Sequence, residues 1–462
     1  MTNFNKKEIK YNKKMDSEKQ FSSMSIQQVK SLIGGITIFF ASAFFGAAFI
    51  KIVGDHFASR LVGFKQGNMR RFSSILTLEW AMAHMTFLMY RHLFSPISFK
   101  FASRNRNERC RLYCLLVFAL MVSMAHLTYF FYLAEFFEIP WLVYDISALC
   151  NGIWINLCVI CFLFTAYNLC LEIASCFSIG KRLIRRMFAR RAIKLFSTEH
   201  HLQIVLTLLI TFLLSLSHWY FSDRLVVRHQ KIQIVRQSQT KLSLKVAMVT
   251  DLHAGASIYG KQISAVVKQV NTLEADAVFL IGDISRRATR SRLGTFYVTG
   301  NHEYYYGDVK EWFALFESYG IRVLKNEAVV LNGHCVVGLN DIFSDNSGIH
   351  NHVMDVKAIS ICPLNETTIV LAHNPAAVKR ILEFSRTTSH PVDLILSGHT
   401  HNAQYLVLLP FAYFVLPYLY GLYSLADGAT QLLVSAGTLF QNAPMKIPFM
   451  SEIWSIEIDP RT

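Results

Sequence analysis

Four long apolar runs in the first half of the chain constrain its fold more than any other feature. They extend over Leu32–Val53, Leu112–Leu133, Ile146–Tyr167 and Leu202–Tyr220. About 20 apolar residues are needed for a helix to cross the hydrocarbon core of a bilayer, and each run is close to that length. Charged residues make up only 17% of the chain, whereas a typical soluble domain is about 25% charged. We therefore expect an N-terminal α-helical membrane bundle.

A fifth candidate span, Ser73–Tyr90, is weaker because it contains Glu79 and His84. An ionisable side chain inside a membrane is costly, so it marks either a functional group or a segment that does not cross the bilayer. A helix at the interface, or a Glu79 that is paired within the bundle, is the simpler interpretation. A transporter with an appended regulatory domain would rest on Glu79 alone. The number of spans is accordingly predicted as four or five.

The distribution of charge predicts the orientation of the bundle. The loop before the last span is strongly basic, with Lys181, Arg182, Arg185, Arg186, Arg190, Arg191 and Lys194. Such loops stay on the cytoplasmic side, so everything after Tyr220 is expected to be extracytoplasmic or lumenal, with four spans or with five. The Asn365-Glu366-Thr367 triplet matches a glycosylation sequon, which agrees with that side. We attribute the net charge of +15 to such loops, and expect membrane lipid rather than nucleic acid as a partner.

The pattern changes near Leu225, where apolar runs become short and alternate with amphipathic segments. Buried strands are predicted at residues 245–250, 277–281, 296–299, 368–372 and 393–397, with helices at 257–273, 308–319 and 375–384 and a hairpin around Asn332-Gly333. Alternating strands and helices predict an α/β domain. The predicted domains are a basic polar N-terminus (1–31), a membrane region (32–222) and this domain (223–462). The nine cysteines indicate neither a zinc finger nor a disulfide framework.

Short polar clusters follow five of the predicted strands. They are Asp251-Leu252-His253, Gly282-Asp283, Gly300-Asn301-His302-Glu303, His373-Asn374-Pro375 and Gly398-His399-Thr400-His401. The carboxyl ends of parallel strands meet at one rim of a sheet, where open α/β folds bind their ligands. Carboxylate, amide and imidazole groups without a thiolate suit divalent ions such as Mn, Fe or Zn. The sequence therefore predicts a metal site at this rim.

These five clusters, in this order, resemble the calcineurin-like metallophosphoesterases. The surrounding sequence resembles the branch of transmembrane proteins with a metallophosphoesterase domain and related bacterial phosphodiesterases, at Val298–Tyr306, Gly320–Ala328 and Ser451–Ile456. The resemblance covers about residues 245–458. It implies a β-sandwich flanked by helices that binds two divalent metal ions.

The resemblance also implies a role for each site residue. Asp251, His253 and His401 would hold the first metal, and Asn301, His373 and His399 the second. Asp283 would bridge the two ions, and His302 would face the substrate and donate to the leaving oxygen. The implied activity is hydrolysis of a phosphoester by a water that the two metals activate, as a phosphodiesterase or a phosphomonoesterase.

Two features modify this expectation. Only sixteen residues separate Asp283 from Gly300, fewer than is usual in the family, and they include Arg286, Arg287, Arg290 and Arg292. Either the segment has lost a helix, or its arginines receive an anionic substrate. The alternative function is therefore a catalytically impaired membrane scaffold, or a splice form, that retains a metal-binding phosphoesterase domain. The apolar stretch Tyr405–Tyr420 is too short and too rich in proline for a span. It is either a loop with its own core contacts or a segment that enters the outer leaflet and admits a lipid-linked phosphate substrate.

Overall fold

The computed structural model describes most of the chain from Ile26 to Arg461. The described residues are 26–61, 64–94, 104–131, 140–175, 177, 179–180, 182–183, 200–255, 257–283, 291–304, 309–347, 349, 352–425 and 428–461. The basic N-terminus, most of the basic loop 181–194, and three of the four arginines between Asp283 and Gly300 lie outside these residues.

Five long helices occupy the described part of the N-terminal half. They are α1 (Ile26–Ala58), α2 (Phe64–Phe94), α3 (Arg104–Phe130), α4 (Trp141–Ser175) and α5 (His200–Phe221). Four of them contain a segment that is long and apolar enough to cross a membrane, namely Gly34–Ala58, Arg109–Phe130, Trp141–Ala174 and His200–Phe221. The weaker candidate span, residues 73–90, is helical throughout within α2 but does not reach that apolarity.

The chain divides into two compact units. The first comprises Met1–Ile50, Thr77–Cys114 and Leu157–Thr211, and the second comprises Lys51–Leu76, Leu115–Asn156 and Phe212–Thr462. Within the first unit, Asn168 and Gln203 exchange side-chain hydrogen bonds between α4 and α5. The second unit joins the start of α4 and the end of α5 to the whole C-terminal domain, and the Tyr144 hydroxyl donates to Asn442 Oδ1 across this junction, at 3.5 Å.

The described residues of the C-terminal domain form two six-stranded sheets. In the first, the strand order is β1-β12-β2-β3-β4-β5, formed by β1 (Val226–Gln237), β2 (Leu244–Thr250), β3 (Ala277–Ile281), β4 (Thr295–Val298), β5 (Ile321–Val323) and β12 (Glu452–Arg461). In the second, the order is β10-β11-β9-β8-β7-β6, formed by β6 (Glu327–Leu331), β7 (His334–Gly338), β8 (Thr367–Leu371), β9 (Leu394–Ser397), β10 (Gly421–Ser424) and β11 (Gln431–Val434).

The two sheets pack face to face, and helices cover their outer faces. One core cluster joins β2, β3 and β4 of the first sheet to β7, β8 and β9 of the second, with Met248, Phe279 and Ile369 fully buried among its members. The helices α6 (Gly260–Asn271) and α7 (Val309–Ser318) cover the first sheet, and α8 (Val378–Thr388) covers the second. Because both faces of these strands are buried, they read in the sequence as continuous apolar runs. The predicted fold class, a membrane bundle followed by a helix-flanked β-sandwich, is confirmed.

The five predicted buried strands are present, and their ends differ from the prediction by at most one residue. Helix 257–273 is shorter, at 260–271, and helix 375–384 begins as a 3-10 turn before α8 continues to Thr388. The prediction missed β1, β10, β11 and β12. It also missed a disulfide between Cys335 in β7 and Cys362, which are 27 residues apart in sequence. Both cysteines are buried in the outer core of the second sheet. Their separation of 27 residues in sequence does not by itself indicate that two cysteines are bonded.

Candidate metal centre

The parallel strands of both sheets end at the same place. Within the first sheet, β2, β3 and β4 run parallel, and within the second, β7, β8, β9 and β11 do so. The five polar clusters follow five of these strands directly. The sandwich therefore brings together groups that are up to 150 residues apart in the chain, as the strand-end argument predicted.

Three of the predicted residues form the first group of converging side chains. Asp251, His253 and His401 place one potential ligand atom each within 4.8 Å of the others. The two Nε2 atoms of His253 and His401 are 2.9 Å apart, and His401 Nε2 is 3.4 Å from Asp251 Oδ1. Imidazole nitrogens that approach so closely inside a protein need a proton or a cation between them, because two lone pairs repel each other.

Asp283 lies between this group and a second one. Its Oδ2 is 3.5 Å from His253 Nε2 and 3.3 Å from His373 Nε2. His373 Nε2 is fully buried and has no hydrogen-bond partner among the described residues, while its Nδ1 lies 2.9 Å from the carbonyl oxygen of Ile281. If Nδ1 carries the proton and donates to that carbonyl, Nε2 presents a lone pair towards Asp283, which is how histidine metal ligands are usually oriented.

The remaining predicted residues complete the second group. Asn301 Oδ1 is 2.9 Å from His399 Nδ1, and the backbone N–H of His399 donates to both carboxylate oxygens of Asp251 at 3.1 Å. The backbone N–H of His302 donates to Asp283 Oδ1. The ring centre of His302 is 4.5 Å from the ring centre of His253. All eight residues that the sequence analysis selected are therefore brought into one cluster.

Backbone strain is concentrated in the same residues. Asp251, His253, Asp283, His399 and His401 all have positive φ angles, between 43° and 70°. Such conformations cost a residue with a side chain on the order of 1–3 kcal/mol, and they persist only where surrounding structure enforces them. In this domain the tightly packed strand ends enforce them, and the strained turns aim the side chains at one another.

Burial and mutual charge set the protonation states of the cluster. Burial lowers the pKa of His253 and His401 well below the usual histidine range, and burial together with His373 lowers the pKa of His399 to about 4. Burial alone would raise the pKa of Asp283, but the neighbouring histidines hold it well below its usual value. Burial alone would lower the pKa of His373, but the carboxylates of Asp283 and Asp251 raise it well above the usual histidine range. The cluster thus offers an ionised carboxylate and, at His253, His399 and His401, neutral imidazoles, which are the forms in which these groups bind metal ions, whereas His373 must first lose a proton.

These observations test whether metal ions fit the residues present. The donor set consists of oxygen and imidazole nitrogen, which suits borderline and hard divalent ions. The buried Nε2 of His373 and the buried Nδ1 of His401 lack hydrogen-bond partners among the described residues. Three overlapping groups of three residues each place their ligand atoms close enough together to hold an ion. The residues therefore fit one or more divalent metal ions.

Several residues around the cluster were not selected from the sequence. Glu303 accepts backbone hydrogen bonds from Asp283 and Gly300, at 3.1 and 2.7 Å, and thereby joins two of the strand ends. Burial, with the nearby Asp283 charge, raises the pKa of Glu303 to about 8. The amide nitrogen of Gln441 is 2.8 Å from His302 Nε2. As placed, that amide donates to Nε2, so a neutral His302 carries its proton on Nδ1.

A sixth strand end also reaches the cluster. Strand β11 is followed by Ser435-Ala436-Gly437-Thr438, and a Cβ on Gly437 would lie 3.0 Å from Asp251 Cβ and 3.2 Å from His401 Nδ1. Beneath this turn the buried Lys446 donates to the carbonyl oxygens of Gly437 and Leu439. Small residues after a buried strand were the available signal, but the segment has no metal-ligating side chain and so was not selected.

Comparison with known proteins agrees with this geometry. Residues 244–403 match the family model for the calcineurin-like phosphoesterases. A transmembrane protein with a metallophosphoesterase domain from Danio rerio is 30% identical over 77% of this chain and 82% of its own length. A protein of the same description from Bos taurus is 36% identical over 48% of this chain and 54% of its own length.

A putative metallophosphoesterase of Caenorhabditis elegans is 30% identical over 60% of the chain and 61% of its own length. The match to the bovine relative thus spans about half of that protein, whereas the match to the zebrafish relative extends into the apolar half of the chain. The converging strand-end clusters, the apolar helices and these similarities together place the chain in the calcineurin-like phosphoesterase family, among the transmembrane proteins with a metallophosphoesterase domain.

Proposed function

We propose that this chain is a membrane-anchored, divalent-metal-dependent phosphoester hydrolase that uses two metal ions. The observation that carries the proposal is the convergence of Asp251, His253, Asp283, His373 and His401 within a few ångströms, with Asn301 and His399 in contact beside them. One ion would be held by Asp251, His253 and His401. The other would be held by Asn301, His373 and His399, and Asp283 would bind both ions.

The chain's own residues would bind and orient the substrate around these ions. When bound, two divalent ions would supply charge stabilisation to the phosphoryl oxygens and make an attacking water more acidic. Burial keeps His302 neutral by lowering its pKa, so its remaining N–H can donate to the leaving oxygen. Gln441 fixes the orientation of that ring. No nucleophilic side chain is needed, because water is the attacking group.

The full-length protein in detergent provides a direct test. With manganese it should hydrolyse bis-p-nitrophenyl phosphate, and the double variant Asp283→Asn/His399→Ala should lose both the metal and the activity. Ser360→Ala, a change at an exposed residue of a 3-10 helix, is the matched control and should behave as wild type. Unchanged turnover in the double variant would refute the assignment. About two metal ions per chain without turnover of any phosphoester would instead favour a metal-binding scaffold.

We further propose that the catalytic domain lies outside the cytoplasm. The basic loop before the last span supports this orientation, and the Cys335–Cys362 disulfide is typical of oxidising compartments. The sequon residue Asn365 is exposed. In a eukaryotic host, an endoglycosidase should shift the mobility of wild type but not of Asn365→Gln, with Asn346→Gln as a control outside any sequon. Digestion of the domain by protease from the cytoplasmic side would contradict this orientation.

A lipid-linked phosphoester is the substrate class that the surface next to the site favours. Tyr405 and Leu419 are buried, whereas α9 (Leu409–Val415) between them exposes Tyr413 by 63% and Phe414 by 92%. The Tyr405 ring contacts His218 near the end of α5, with 5.8 Å between the ring centres. The segment that carries these exposed aromatic side chains therefore begins, at Tyr405, beside the end of a candidate membrane span and a few residues after His401.

This substrate class is tested by screening. Lipid phosphates, nucleotide diesters and sugar nucleotides would be compared on the purified protein in lipid nanodiscs. The variant Phe411→Asp/Phe414→Asp should slow turnover of a lipid phosphate while turnover of bis-p-nitrophenyl phosphate stays unchanged. Equal turnover of lipid phosphates by this variant and the wild type would remove the lipid-contact role of α9.

A further inference from the structure

A cavity of about 630 Å³ lies where the start of α4 and the end of α5 meet the C-terminal domain. All of its lining residues belong to the second compact unit. Ligand-binding pockets are typically about 300–1,000 Å³, so the cavity is large enough for part of a lipid. Nothing in the proposed metal chemistry uses it.

The outer wall of the cavity belongs to the apolar helices. Ile146 on α4 and Trp219 and Tyr220 on α5 line the cavity and are 44%, 52% and 50% exposed. All three lie on segments that are apolar enough to cross a membrane. Tryptophan and tyrosine are enriched where such helices leave the hydrocarbon core. The cavity therefore opens among side chains that would face lipid.

The inner wall belongs to two segments that also build the metal centre. Ser257 follows the turn after His253, and Phe440 directly precedes Gln441, the partner of His302. Ser257 is only 5% exposed, and its Oγ has no hydrogen-bond partner among the described residues. A buried hydroxyl without a partner costs about 1–3 kcal/mol, and a polar ligand group would offset that cost.

One cationic group at the rim, Arg224, matches a phosphoester head group, and the carboxylates of Asp145 and Asp223 also line the cavity. The Arg224 guanidinium lies 3.8 Å over the centre of the Tyr220 ring and donates through Nε to the Tyr220 carbonyl oxygen. Guanidinium is the side-chain group whose geometry best fits phosphate oxygens. Asp145 accepts a 2.8 Å hydrogen bond from the Tyr259 hydroxyl, which ties α4 to the segment that begins α6.

We propose that this cavity binds the alkyl portion of a membrane phosphoester lipid, which enters sideways between the ends of α4 and α5. The chain would lie among Ile146, Leu149 and Trp219, and the polar end would lie against Ser257, towards the metal centre. This inference rests on the proposed hydrolase function and deepens it, because it specifies where the substrate's apolar part is held.

Two substrates that differ only in their alkyl chain test the proposal. They are ethyl p-nitrophenyl phosphate and hexadecyl p-nitrophenyl phosphate, used with full-length protein in phosphatidylcholine nanodiscs and manganese. In each, water forms a bond to phosphorus while the bond to p-nitrophenolate breaks, and the products are alkyl phosphate, p-nitrophenolate and a proton. The leaving group and the reacting bond are therefore identical.

The variant Ile146→Trp fills the outer part of the cavity without touching the metal centre. We expect it to raise KM for the hexadecyl ester about tenfold, equivalent to about 1.4 kcal/mol, and to leave the ethyl ester unchanged. Leu142→Trp is the matched control, because Leu142 is 52% exposed on the same helix and does not line the cavity. An unchanged ratio of the two KM values in Ile146→Trp would overturn the proposal, as would an equal loss on both esters.

A second readout does not depend on turnover. A diazirine-bearing hexadecylphosphocholine in the same nanodiscs should label peptides that contain residues 141–149 and 219–224 in wild type, and should do so much less in Ile146→Trp. Labelling without hydrolysis of either ester would refute the hydrolase function and support the cavity as a lipid site. Hydrolysis of the ethyl ester without this labelling would retain the hydrolase and refute the cavity's role.

Discussion

Gly282 offers a quantitative test of the packing at the metal centre. Its φ is +73°, and a Cβ at this position would lie 2.2 Å from His373 Nδ1 and 2.8 Å from the Cα of Gly300. Neither neighbour can move freely, because Gly300 is backbone and His373 Nδ1 is hydrogen-bonded to the Ile281 carbonyl group. The variant Gly282→Ala should therefore displace the His373 ring from its position against Asp283.

The magnitude follows from two separable costs. An alanine at positive φ costs about 1–2 kcal/mol, and overpacking a close contact costs about 1–3 kcal/mol more. Gly320→Ala is the matched control, because Gly320 has φ +75° and no described atom lies within 4 Å of an added Cβ. Gly320→Ala should show the first cost alone, and Gly282→Ala should show both.

The assay is thermal unfolding of the full-length protein in detergent, with metal content measured on the same samples. Each kcal/mol corresponds to about 2–4 °C for a domain of 150–250 residues. Gly282→Ala should unfold at a clearly lower temperature than Gly320→Ala and should also lose metal, whereas Gly320→Ala should retain it. If both variants unfold at the same temperature with full metal content, the close packing inferred around His373 is wrong.

Three further predictions concern residues that the sequence did not reveal. Cys335→Ala should lower the free energy of unfolding by about 3–4 kcal/mol, because the disulfide closes a loop with a sequence separation of 27. Cys110→Ala, at an exposed free thiol, is the control. An equal urea midpoint for both variants would contradict this prediction. Gln441→Ala should lower kcat about fivefold to tenfold at constant metal content by freeing the His302 ring, and a change in KM alone would argue against a positioning role. Burial lowers the pKa of Lys446 to about 7, below its value of about 10.4 in the unfolded chain. Between pH of about 7 and about 10.4 the unfolded state therefore binds one more proton than the folded state, and the free energy of unfolding should rise with pH. In metal-free protein Lys446→Met should flatten that rise, and an unaltered pH profile of unfolding would exclude Lys446 as its source.

The position of the polar clusters could be predicted because it depends on local sequence and on one general rule. Runs such as Ala277–Ile281 are apolar at every position, which predicts a strand buried on both faces, and the polar residues after them must then lie at its carboxyl end. Strand β10 could not be predicted in this way, because this short strand alternates between half-buried and exposed positions and follows an exposed apolar helix. Strands β1 and β12 could not be predicted either, since the polar alternation in these strands is less distinctive than a continuous apolar run.

By itself, the sequence determined the division of the chain into an apolar helical half and an α/β half, the family of the second half and the identity of the residues in the cluster. Those properties follow from apolar run length, periodicity and the order of short motifs, which are local in the chain. Only the tertiary structure decided which groups touch. The contact of Gln441 with His302 and the cavity between α4, α5 and the loop at Ser257 join residues that are distant in sequence. Such contacts depend on how two sheets and two helix ends pack in space, and no local pattern in the chain encodes that packing.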